Sequence, residues 1–107
     1  TAYDLIKYEN ESGTINNIIL VISDMLAQIK ISDIKNLLKN DLEISCVQRL
    51  GLILEKLGSA KLINPLFEYS KQAAAYIPLS RLGSKSGNRN TKWKIIENLN
   101  SEEFRAP

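Results

Sequence analysis

The chain has 107 residues, 44% of them apolar and 24% charged, with a formal net charge of +2. That is one domain's worth of chain, with the composition of an ordinary globular protein and enough apolar residues for one core. It contains no histidine, which excludes Ser-His and Cys-His nucleophile pairs and metal sites of the Cys/His type.

No apolar run approaches the roughly 20 residues that a spanning helix needs, and no basic stretch followed by an apolar block marks a signal peptide. The single cysteine, Cys46, has no internal disulfide partner, so a reducing, cytoplasmic setting fits. The chain opens on Thr1 rather than Met and reads as a piece of a longer protein or a trimmed product. A single domain over residues 1–107 is expected, with no membrane span, no cofactor and no metal.

In chain order, "TAYDLIKYE" predicts a short helix, with Thr1 and Asp4 as a T-x-x-D cap. Gly13 breaks it. From Thr14 to Lys30 the residues Ile15, Ile18, Ile19, Ile22, Met25, Leu26 and Ile29 follow helical spacing. Leu20 and Val21 fall off that stripe, which predicts a second covered face. Ser32 or Asp33 reads as the next N-cap, and Ile34, Leu37 and Leu38 give a short helix ending near Asn40. Ser45 and Gln48 form an S-x-x-Q capping box. Val47, Leu50, Ile53, Leu54 and Leu57 follow as a buried stripe, and Gly58 is placed as a C′ glycine. Gly51 inside this helix costs about 1 kcal/mol against Ala, so a neighbouring helix or loop should approach closely there. Ser59 opens another helix with Leu62, Ile63, Leu66 and Phe67 on one side. It should kink or restart at Pro65 and run out near Ala74. Ile18, Ile22, Met25, Leu50, Leu54 and Trp93 are the expected core.

The last third changes period. "AYIPL" and "KWKIIEN" predict two strands joined by a long loop. Pro78 puts the first on an edge, and the pair must pack on the helices or borrow a third strand. On a strand, Lys92 and Lys94 would share one face and Trp93 the other. The tail from Asn98 to Pro107 has no periodicity.

The charge is uneven. Residues 1–80 carry eight Lys/Arg and nine Asp/Glu, whereas 81–107 carry six and three. Within Leu79–Lys94 there are five cations (Arg81, Lys85, Arg89, Lys92 and Lys94) and no acid. Three readings stand. The stretch can be pure structure, with Gly and Asn turns and charges that protect an edge strand. It can be a phosphate-facing surface, with the five cations neutralising a nucleic-acid backbone. Or it can dock an acidic partner or sister domain. Its "GSKSGN" does not meet the phosphate-loop template, because Gly87 is followed by Asn88 and Arg89.

Other candidates carry little chemistry. Cys46 reads as a packed thiol, with the helix N-terminus leaving a reactive thiol as the alternative. Asp41 and Glu43 read as loop or cap residues. Asn16 and Asn17 read first as helix-start polar residues and second as functional surface. Arg49 is either an exposed or locally paired helix arginine, or one that orders the C-terminal loop by donating to its carbonyls.

Four segments resemble one family in order: "DLIKY" (Asp4–Tyr8), "GTINNIILVISDM" (Gly13–Met25), "VQRLGLILEKLG" (Val47–Gly58) and "YIPLSRLGSKSGNRNTKWKIIEN" (Tyr76–Asn98). The pattern is similar to the C-terminal domain of AbiEi antitoxins of bacterial type IV toxin–antitoxin, abortive-infection systems. The most specific parts are Arg49-Leu50-Gly51 and Gly87-x-Arg89-Asn90-x-Lys92-Trp93-x-Ile95. Leu52 stands where the family often has an aromatic residue, a packing variation. The resemblance implies a longer protein whose N-terminal winged helix-turn-helix region binds promoter DNA and represses transcription. No segment within these 107 residues reads as that module. It also implies a C-terminal domain with a basic surface that counters a nucleotidyltransferase-like toxin without a stable complex.

The expected fold is therefore α+β and mostly α, with four or five helices around one core and a C-terminal two-stranded β-hairpin. The expected function is a non-enzymatic antitoxin effector domain that meets DNA or another nucleic acid through the basic hairpin. The alternative is a protein-interaction module that docks a DNA-binding domain or partner protein, with the basic loop merely solvated.

Overall fold

Nine consecutive residues, Cys46 to Leu54, are buried in one helix, so this helix is covered on every side and forms the axis of the fold. The computed structural model describes residues 2–8, 15–80 and 87–98. Among them five α-helices run in order: α1 (Ala2–Lys7), α2 (Ile15–Met25), α3 (Ile31–Leu37), α4 (Ile44–Lys56) and α5 (Ala60–Ser70). A 3-10 turn, Leu26–Gln28, follows α2, and three short strands come after α5: β1 (Ile77–Pro78), β2 (Asn88–Asn90) and β3 (Ile95–Glu97). The architecture is α+β and mostly α. The central α4 contacts α1 and α5 along its length and β3 at the sheet, while α3 leans on α5.

The core is continuous from Tyr3 and Ile6 through Ile18, Ile22, Leu50 and Leu54 to Leu79, Trp93 and Ile95. Met25 departs from the expected core. It is half-buried and lines a cleft with Tyr3, Ile34 and Leu50, because α2 gives way to the 3-10 turn after it and the helical stripe turns outward. The expected second covered face of α2 is also corrected: Leu20 is 37% and Val21 45% exposed.

The caps show where local patterns yielded to long-range ones. At the C-terminus of α4, Gly58 has φ +89°. Its N–H donates to Glu55 O at 3.0 Å, and Ser59 N–H donates to Leu54 O at 2.9 Å, the paired bonds of a Schellman ending. At the N-terminus the Ser45/Gln48 capping box does not form. The helix starts one residue after Glu43 with no side-chain cap. Instead, two tyrosines from distant helices hold the preceding loop. Tyr3 Oη accepts from Glu43 N–H at 3.0 Å. Tyr69 Oη accepts from Leu42 N–H at 3.1 Å and donates to Leu42 O at 3.2 Å. Burial raises the Tyr3 pKa, and the bond with the Glu43 backbone works against that rise.

At α3 the N-cap is Lys30, which corrects the expected Ser32 or Asp33; Asp33 instead sits at the third helical position and its carboxylate accepts from Lys30 N–H at 2.9 Å. That helix closes at Leu37, short of Asn40. α5 runs unbroken through Pro65 and closes at Ser70, short of Ala74. The Thr1 cap and the Gly13 break lie outside the described residues.

The sheet order is β1-β3-β2. β1 is an edge strand, as Pro78 requires. It pairs parallel with β3, Ile77 opposite Ile95 and Pro78 opposite Ile96. The "AYIPL" and "KWKIIEN" segments are therefore parallel neighbours and not the two arms of a hairpin. The hairpin is β2 with β3, antiparallel, with Arg89 opposite Ile96. The third strand that a two-stranded ribbon needs comes from within the basic segment itself.

Candidate nucleic-acid interface

The segment from Leu79 to Lys94 is anchored by α4. Gln48, 2% exposed, donates from Nε2 to Trp93 O at 2.9 Å and to Lys94 O at 3.3 Å. Arg49, 4% exposed, donates from Nε to Pro78 O at 3.0 Å. Of the two readings of Arg49, the loop-ordering one holds. These adjacent side chains grip β1 and the turn before β3. Beyond β1, Leu79 N–H donates to Ile96 O at 3.0 Å. Asn98 then pairs with the Ser80 backbone in both directions, accepting at 2.9 Å and donating at 3.0 Å.

Residues 91–94 form a turn between β2 and β3, so the strand alternation expected for Lys92, Trp93 and Lys94 is corrected. Asn90 Oδ1 accepts from Trp93 N–H at 3.1 Å, which fixes the turn's start. Lys94 takes φ 54°, a left-handed conformation that an L-residue adopts at a cost of about 1–2 kcal/mol. Three bonds hold it there. Its carbonyl accepts from Gln48 and from Ile77 N–H, and its ammonium donates to Ala73 O at 2.7 Å.

Trp93 is 1% exposed and fills the place that Gly51 leaves open. Its ring meets Phe67 edge-on at 5.6 Å and 80°. The indole N–H donates to Glu55 Oε1 at 3.0 Å, and Lys92 Nζ forms a short salt bridge with Glu55 Oε2. Lys92 Nζ also lies 5.4 Å from the Phe67 ring centroid and 5.7 Å from that of Trp93. Burial pushes the Glu55 pKa up, but hydrogen bonds from Lys92 and Trp93 and the charges of Lys92 and Lys56 outweigh it and hold the carboxyl below its ordinary value.

The five cations thus separate. Arg81 and Lys85 lie outside the described residues. Lys92 is paired with Glu55, and Lys94 is tied to a backbone carbonyl. Arg89 is exposed on β2. Its guanidinium carbon stands 5.3 Å from the Tyr76 ring centroid, and among the described residues it meets no carboxylate.

Sequence reasoning missed three participants. Glu55 lies one turn beyond Gly51, on the helix face that receives Trp93, so its spacing was informative. Lys71, whose Nζ lies 5.3 Å from the Phe67 centroid, follows Phe67 by one turn in the same way. Tyr76 precedes Pro78 by two residues, which in an extended chain puts both on one face. Among the described residues of this segment, the Arg89 guanidinium and the Tyr76 ring form the exposed basic and aromatic contact. Among the described residues no cluster of three His, Cys, Asp or Glu side chains forms that can hold a metal. Also among them, no single helix is long and apolar enough to cross a membrane. Cys46 is buried, its thiol 3.4 Å from a Glu43 carboxylate oxygen.

No family model, curated protein or solved structure matches the chain.

Proposed function

We propose that this chain is a non-enzymatic effector domain of the AbiEi antitoxin type, acting in the bacterial cytoplasm and meeting nucleic acid through its basic segment. The observation that carries the nucleic-acid reading is Arg89: an exposed guanidinium that meets no carboxylate among the described residues, in a stretch of five cations and no acid. The antitoxin reading rests on the resemblance. Its two most specific segments meet at one place, where Gln48 holds the Trp93 carbonyl and Gly51 receives the Trp93 ring.

In this reading Arg81, Lys85 and Arg89 make the primary phosphate contacts. Lys92 and Lys94 join by leaving Glu55 and Ala73. The domain works beside an N-terminal winged helix-turn-helix region that reads the promoter, and it opposes a nucleotidyltransferase-like toxin without forming a stable complex.

The test is a duplex-DNA titration by fluorescence anisotropy at several salt concentrations. Each phosphate neutralised should contribute about −0.9 to the slope of log K against log salt. The affinity should lie in the weak, non-specific range of about 10⁻⁴–10⁻⁶ M at physiological salt, with little sequence preference. Charge reversal of Lys85 and Arg89 together should flatten the slope and leave the circular dichroism spectrum unchanged. An unchanged slope in the folded double variant overturns the reading.

A second reading, a module that docks another protein, is favoured by the exposed Leu20 and Val21 on α2. Binding to DNA that does not respond to salt, or a stable stoichiometric complex with a toxin in size-exclusion chromatography, would put that reading first.

A further inference from the structure

The outer face of the three-stranded sheet carries a different chemistry from its inner face. Ile95 and Leu79 turn into the core. The register puts Pro78, Ile96 and Arg89 in one row across the other side, Pro78 opposite Ile96 on one flank and Arg89 opposite Ile96 on the other. Tyr76, two residues before Pro78, continues that side. It is 37% exposed, and the Arg89 guanidinium lies over its ring. The face is thus a floor of proline and isoleucine with a ring and a guanidinium at its rim. None of its four residues is acidic, and no acid occurs anywhere from Leu79 to Ile96.

We propose that this face binds single-stranded nucleic acid by stacking a base on the Tyr76–Arg89 pair. This rests on the nucleic-acid reading above and narrows it from any polyanion to an unpaired strand. A duplex hides its base faces in the stack and offers phosphates and groove edges, for which a ring face has no stacking partner. To a phosphate an exposed tyrosine can offer only its hydroxyl, which Tyr76→Phe would remove. Beside an arginine on a flat sheet face, it provides the platform on which an unstacked base lies, and the guanidinium adds charge and a second planar surface. The positive face complements the backbone charge of the strand. Stacking is tolerant of sequence because every base has a π-face.

The experiment is an anisotropy titration of the full chain with a labelled oligothymidylate of about ten nucleotides, within the range one small domain covers, and with a duplex of equal length at the same salt. The single strand is expected to bind more tightly. Tyr76→Ala should weaken single-strand binding by about tenfold, the usual loss of one stacked base. Tyr76→Phe should retain the affinity, and duplex binding should be indifferent to both substitutions. A folded Tyr76→Ala chain that binds the strand as well as the parent overturns the proposal, and so does a strand bound no tighter than the duplex. Duplex binding with a salt slope but no strand preference removes this inference alone; no binding to either probe removes the nucleic-acid reading with it. Should Tyr76→Ala lose the fold, photocrosslinking of the unsubstituted chain to an iodouracil-bearing strand decides instead. A crosslink at Tyr76 supports the stack, and crosslinks confined to other residues overturn it.

Discussion

Trp93 and Gly51 touch ring to backbone. A Cβ built on Gly51 would stand 2.2 Å from Trp93 Cζ3 and 2.3 Å from Cη2. In an open helix, replacing Gly with Ala gains about 1 kcal/mol. Here the indole has Phe67 and Glu55 against it and little room to retreat. Gly51→Ala should therefore destabilise the chain, by about 1–3 kcal/mol as for other overpacked cores. A denaturant melt reads the sign directly. A more stable variant would mean that Trp93 moves aside without cost.

Arg49 supports β1 from below. Arg49→Met keeps much of the side-chain volume and removes the donor to Pro78 O. The loss should be about 1–3 kcal/mol, the penalty of a buried acceptor left without its partner. Lysine should not restore it, because an ammonium lacks the planar fork of a guanidinium. Hydrogen exchange should show the effect first at the Ile77 and Leu79 amides, which bond across to Lys94 O and Ile96 O. Uniform acceleration over all helices, with no excess at these two, would count against a local anchoring role.

Acid should weaken the Trp93 turn. The Glu55 carboxyl is held below its ordinary value of 4.5, so its contribution is present above that pH and is lost as pH falls through the lower folded-state value. Glu55→Gln should be less stable than the parent at neutral pH, and the gap should close in acid. With Glu55 and Lys92 side chains 31% and 41% exposed, the effect is about 1 kcal/mol or less. Thermal melts of both proteins across the acid range test it. A gap that stays constant with pH would show that the carboxylate's charge does not matter.

Lys94 separates backbone strain from side-chain bonding. Lys94→Gly loses the bond to Ala73 O but relieves a left-handed residue, whereas Lys94→Ala loses the bond and keeps the strain. The glycine variant should be the more stable of the two by about 1 kcal/mol. Equal melting temperatures would mean that the turn relaxes when the ammonium is gone.

Much of this was legible where the signal is local. The α4 stripe, the Gly58 ending, the close approach at Gly51 and the edge position of Pro78 each follow from a few neighbouring residues. The sheet was harder. Asn88–Asn90 holds two asparagines and an arginine, residue types that rarely favour strands, and it pairs only because β3 offers a partner edge. The grips of Tyr3 and Tyr69 on the loop before α4 span 40 and 27 residues of chain. No window short enough for a capping pattern contains them. For the candidate interface, sequence showed where the cations cluster. It did not show that Glu55 engages Lys92 or that Tyr76 sits under Arg89, because both pairings depend on the parallel crossover.

The strand order has a consequence for how the molecule comes into being. The middle strand, β3, is synthesised after both of its flanks. While a ribosome makes this chain, all five described helices emerge before Ile95, and neither β1 nor β2 yet has a neighbour. Until then Arg49 and Gln48 point at carbonyls not yet in place, and the notch at Gly51 stands open to water. The basic segment can take its final shape only when β3 slides between two waiting edges, so among the described elements the surface proposed to meet nucleic acid is the last to form.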